Sequence, residues 1–139
     1  MLYLDDDRRS RWPAVARTLA SLFQLDMVLC LYPDSEHLSD PFVACEDDEP
    51  LERITTYLDG DIPPRSARVA VDEALMTYLE SHVDEFEEWG DSLILYRPGA
   101  TALVAAAIPH EGIILVADEF GAPLDAAGFR VSSEPPEGW

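Results

Sequence analysis

Residues 101–108 (TALVAAAI) and 113–117 (IILVA) are two apolar runs separated by only Pro109-His110-Glu111-Gly112. Short apolar runs bounded by proline and glycine read as strands, and a four-residue link with glycine late in it reads as a hairpin. Residues 92–96 read as a third strand, turned by Pro98-Gly99. Three successive strands joined by tight turns commit the C-terminal half of the chain to an antiparallel sheet. Within it, the small side chains of 102–107 leave room for a helix to pack closely.

The remaining segments supply helices and a partner strand. Ser10 is placed to cap a helix reaching about Gln24, with Pro13 tolerated in the first turn and Trp12, Val15, Ala16, Leu19, Leu22 and Phe23 on one face. Residues 25–32 form a continuous apolar run stopped by Pro33, the pattern of a strand buried on both faces. Residues 42–45 read as a short second strand after a polar loop. The acidic run 46–49 ahead of Pro50 suits the start of a helix carrying Leu51, Ile54, Tyr57 and Leu58 and ending before Gly60. After a proline-broken connector at 59–64, the spacing of Ala67, Ala70, Val71, Ala74, Leu75, Tyr78, Leu79, His82 and Phe86 predicts one long helix over 66–89, stopped by Gly90. Residues 121–125 read as a turn and 132–139 as a loose tail. The expected architecture is a single α+β domain over residues 1–139, an antiparallel sheet of about five strands with helices packed mainly on one face.

In element order and texture the chain resembles the GAF-type sensory domains. The matching pieces are the lead helix running into Leu25-Asp26-Met27-Val28-Leu29-Cys30-Leu31-Tyr32, and the late hairpin from Leu103-Val104-Ala105-Ala106-Ala107-Ile108 into Gly112-Ile113-Ile114-Leu115-Val116. The resemblance implies a regulatory module that binds a small ligand or pairs with itself.

Charge constrains the partners. Twenty-eight Asp and Glu stand against nine Arg and no Lys, a net charge of −19 over 139 residues. Such a surface repels phosphate backbones and anionic headgroups, so neither direct nucleic-acid binding nor membrane binding is expected. The densest arginine cluster, Arg8, Arg9 and Arg11, adjoins Asp5, Asp6 and Asp7. A basic protein is instead attracted and steered. The same composition fits a chain adapted to high salt, in which self-repulsion is screened.

Apolar residues make up 47% of the chain, which argues for a packed core. The opening lacks the basic and apolar regions of a signal peptide, and no apolar run is long enough to span a bilayer, so a cytoplasmic chain is expected. Cys30 and Cys45 are too few for a disulfide framework and read as free thiols. His37, His82 and His110 are isolated, without zinc-ligand spacing. There is no glycine-rich phosphate loop and no nucleophile elbow, and the absence of lysine excludes Schiff-base chemistry. No cofactor, metal or catalytic residue is therefore expected.

Asp84, Glu85, Glu87, Glu88 and Asp91 gather around Phe86 and Trp89 at the end of the expected long helix, where acids oppose the helix dipole. Aromatics ringed by acids suit a contact with a basic partner. The sequence therefore points to a non-enzymatic acidic binding protein, an inhibitor or immunity-type protein covering a toxin or nucleic-acid enzyme. The alternative is the GAF-like sensor in a salt-adapted cell, and a homodimer fits that reading. Melting temperature against KCl separates the two origins of the acidity. Host adaptation gives a steep rise from low salt into molar KCl, whereas acidity that serves a partner gives a nearly flat profile.

Overall fold

The computed structural model describes residues 1–4, 11–31, 41–45, 49–54 and 65–137. Among them the fold is α+β, with one open, wholly antiparallel sheet of seven strands and four helices. The strands are β1 (Leu2–Leu4), β2 (Asp26–Leu31), β3 (Val69–Ala70), β4 (Gly90–Tyr96), β5 (Leu103–Ile108), β6 (Ile113–Val116) and β7 (Val131–Ser132). The helices are α1 (Trp12–Leu22), α2 (Glu73–Ser81), α3 (Val83–Trp89) and α4 (Gly121–Ala126). Across the sheet the order is β3-β2-β4-β5-β6-β1-β7.

The β4–β5–β6 meander follows the expected pattern. Ile108 pairs with Ile113 across the hairpin, and Gly112 takes a φ of 69°, which only glycine adopts without strain. β2 is buried on both faces, as its uninterrupted apolar run requires. Met27, Leu29 and Leu31 join Leu93, Leu95, Ala105, Ala107 and Ile114 on one face, where side chains from all four helices pack. Val28, Cys30, Ile94, Tyr96, Ala106 and Ile108 lie on the other, against Leu51, Ile54 and Tyr3. The helices therefore lie on one face, and the second is closed in part by the irregular segment 49–54.

Several expectations are corrected. Two further strands, β1 and then β7, extend the sheet beyond β6: Leu2 pairs with Val116, and Leu4 with Val131. Ser132, expected in a loose tail, pairs with Tyr3. Residues 121–125, expected as a turn, belong to α4. Residues 42–45 contribute one isolated bridge, Ala44 to Ser66. Residues 51–54 are not helical, and the rest of the helix expected there lies outside the described residues, as does the Ser10 cap.

The largest correction concerns the long helix. Residues 65–70 are extended and lie beside β2: Ser66 N–H donates to Leu29 O at 2.8 Å, and Leu29 N–H donates to Ser66 Oγ at 2.9 Å. The helix starts only at Glu73, where Asp72 Oδ1 accepts from Leu75 N–H at 2.8 Å as an N-cap. It breaks again at His82, whose Nδ1 bonds Tyr78 O at 2.7 Å while Ser81 Oγ donates to Thr77 O. Side chains thus occupy carbonyls at the end of α2, and α3 begins anew from His82.

Leu79 is fully buried beneath α2, whereas Thr77 is exposed. Leu79→Ala is expected to cost about 2–5 kcal/mol in chemical denaturation, and Thr77→Ala less than about 0.5 kcal/mol.

Candidate functional site

The acids expected at one helix end divide according to the two helices. Asp84 and Glu85 stand in the first turn of α3, both exposed. There they face the positive end of a helix dipole, so the expected conflict with the dipole does not exist for them. Glu88 is exposed in the last turn, and Glu87 is half-buried.

Phe86 and Asp91 leave this face. Phe86 is fully buried and meets Trp12, Phe42 and Tyr78 edge-on, with centroids 5.8, 6.0 and 6.3 Å away. Its place on the helical stripe points it into the core. Asp91 is fully buried in β4, beside the register shift at Cys30 and Leu31. The Trp89 side chain lies outside the described residues. Asp84, Glu85 and Glu88 therefore form the exposed remainder of the expected site.

Arg17 serves other acids. Arg17 on α1 bonds Glu73 Oε2 at 2.6 Å and Glu80 Oε1 at 2.8 Å, tying α1 to both ends of α2. Among the described residues, Asp84, Glu85 and Glu88 have no ion pair. Three carboxylates thus stand on a seven-residue helix without an internal counter-charge.

A second polar group, not anticipated from the sequence, lies inside the molecule. Cys30 pairs with Ser92 across β2 and β4 and bridges to Arg65 on its other side. Arg65, Ser92 and Asp91 are all buried. Burial pushes the Cys30 thiol up, with Asp91 adding to the effect and Arg53 and Arg65 opposing it. A thiol held protonated is a poor nucleophile. Cys45 N–H donates to Arg65 O at 3.1 Å, so the Arg65 segment runs between the two cysteines. Two strand spacings, about 9–10 Å, exceed disulfide reach. Both thiols are free. The polar start of β4, Gly90-Asp91-Ser92 ahead of an apolar run, was the one sequence sign of this cluster.

Among the described residues no three His, Cys, Asp or Glu are grouped to hold a metal ion, and no helix is long and apolar enough to cross a membrane. The cavity between α1 and the sheet, lined by Trp12, Val15, Met27, Leu95 and Ala105, measures about 20 Å³. It has room for a water but not for a metabolite. The chain matches no protein-family model, no curated protein and no solved structure.

Arg17 holds the Glu73 carboxyl below its ordinary value, first through their hydrogen bond. A carboxyl lowered in the folded state stabilises the fold above its unfolded value near about 4.3, and that contribution is lost as pH falls through the lower folded value. The melting-temperature gap between wild type and Arg17→Met is therefore expected to be full at about pH 6–7 and to close as pH approaches about 3.

Proposed function

We propose that this protein is a non-enzymatic acidic binding protein of the inhibitor or immunity type, which covers the basic face of a toxin or nucleic-acid enzyme. The observation that carries the reading is the exposed trio Asp84, Glu85 and Glu88, uncompensated among the described residues in a chain of net charge −19. Surface carboxylates with no internal cation keep their full field in solution, and such a field accelerates and orients the approach of a basic surface.

The test is a pull-down from the source cell at low salt, followed by binding kinetics of wild type and the Asp84→Asn/Glu85→Gln/Glu88→Gln variant. The variant is expected to keep its melting profile and to associate roughly tenfold more slowly at low ionic strength, with the difference vanishing at about 1 M salt. A variant that associates as fast as wild type at low salt would show these acids to be solvated surface and sink the proposal.

A further inference from the structure

The sheet ends on one side at β3, and an open groove of about 460 Å³ lies against that edge. Pro41, Val69, Ala70, Leu75 and Tyr78 give it apolar walls, and Asp72 gives it a carboxylate. Two features make it more than a surface depression.

The first is an interrupted ladder. Residues 43–45 run beside 65–67, with Ala67 N–H donating to Val43 O at 2.7 Å and Cys45 N–H to Arg65 O at 3.1 Å. Among the described residues that line ends at Pro41, which has no N–H to continue it. Val71 N–H points into the sheet, donating to Leu25 O at 2.9 Å, so strand alternation turns the Ala70 N–H toward the open side. An extended segment laid in the groove would prolong the line of 43–45 and accept from Ala70.

The second is charge. Asp72 uses Oδ1 to cap α2, and its other oxygen has no partner among the described residues. No arginine or histidine is among the groove's described lining residues, and the neighbouring Glu73 is engaged by Arg17. The half-buried Tyr78, stacked on His82 at 4.2 Å, lines the same wall. An aliphatic stem ending in a cation matches this combination: the stem covers apolar wall and the head meets Asp72. A second copy of this chain, also at −19, would be repelled.

We infer that the β3 groove takes an extended, arginine- or lysine-bearing segment of the partner protein, which adds to the sheet edge beside Ala70 and places its basic side chain against Asp72. This rests on the proposed function and narrows it from a charged face to a defined docking edge.

The test is an amide-shift titration of the full chain with the probe peptide Arg-Val-Arg-Val-Arg-Val and its charge-reversed counterpart Glu-Val-Glu-Val-Glu-Val. The basic peptide is expected to give saturable shifts at Val69, Ala70, Asp72 and Tyr78, and the acidic one none. Ala74→Arg, at an exposed position lining the groove, should weaken the basic peptide at least tenfold without changing the melting temperature. Asp72→Asn, which keeps the cap and removes the charge, should weaken it severalfold. Saturable shifts confined to Asp84, Glu85 and Glu88, indifferent to Ala74→Arg, would overturn the groove and leave the acidic-face reading standing. Equal binding of both peptides, or no saturable shift at β3 with the basic one, would overturn the inference as well. Failure of the Asp84/Glu85/Glu88 variant to slow the native partner is the separate result that defeats the proposed function.

Discussion

The pairing of β2 with β4 is the contact from which the rest of the molecule hangs. Its register runs from Asp26 opposite Tyr96 to Leu31 opposite Gly90, and it joins segments some sixty residues apart. Both strands carry apolar side chains on both faces, and each of these belongs to one core or the other. Once this pair is set, β5 and β6 follow by tight turns, and the 65–70 segment is held on the far side of β2. The pairing also fixes α3, because α3 passes into β4 with no loop between Trp89 and Gly90. Gly90 makes that passage feasible: a β-carbon there would lie 2.9 Å from Phe86 O. Burial of Phe86 and the start of β4 are therefore coupled through one backbone junction.

The arginines with resolved contacts are structural. Arg17 bridges α1 to α2. Arg68 joins three parts of the chain: it bonds Glu49 at 2.9 Å, donates to the carbonyls of Ala100 and Arg97, and lies 5.0 Å over the Tyr96 ring. Arg97 lies over Phe23 and Phe120. Arg68 also explains how the second face of the sheet is closed without a described helix. It draws Glu49 in, and it lowers that carboxyl through their hydrogen bond. Glu52 then clamps the same segment, accepting from Leu103 N–H through its side chain and from the Tyr96 hydroxyl through its carbonyl. Cations so committed are not available to neutralise α3.

What could be read from the sequence follows from how local the determinants are. The hairpin after Ile108 was legible because proline, glycine and two apolar runs lie within seventeen residues. The β2 strand was legible because burial on both faces writes an unbroken apolar run. The 66–72 stretch was misread because Ala67, Ala70 and Val71 satisfy helical spacing, and the deciding bonds, between Ser66 and Leu29, reach across 37 residues. Asp72 was the available sign, an N-cap residue followed by Glu73 and a helical stripe. β1, β3 and β7 are two or three residues long, too short to carry a pattern, and exist only through their partners. For the candidate site, the exposed acids were legible as charge. The burial of Phe86 was legible from its place on the apolar stripe; that of Asp91 was not, since it depends on the register of β4 beside the bulge between Cys30 and Leu31.

The break at His82 changes the meaning of the acidity. One continuous helix would place Asp84, Glu85, Glu87 and Glu88 at its negative end, where they would destabilise it. Two helices give the chain two positive ends, and each is met by acids: Asp72 and Glu73 at α2, Asp84 and Glu85 at α3. The dipoles supply locally what counter-ions would otherwise have to supply. Acidic residues can therefore be added at these positions at little cost to folding. At α3 this leaves Asp84 and Glu85 exposed and without an ion pair among the described residues, which is the condition for an outward-facing field. The same break leaves Tyr78 stacked on His82 at 4.2 Å, at the end of α2 that borders the β3 groove. One interruption in the backbone thus sets both the charged face and the wall of the neighbouring edge.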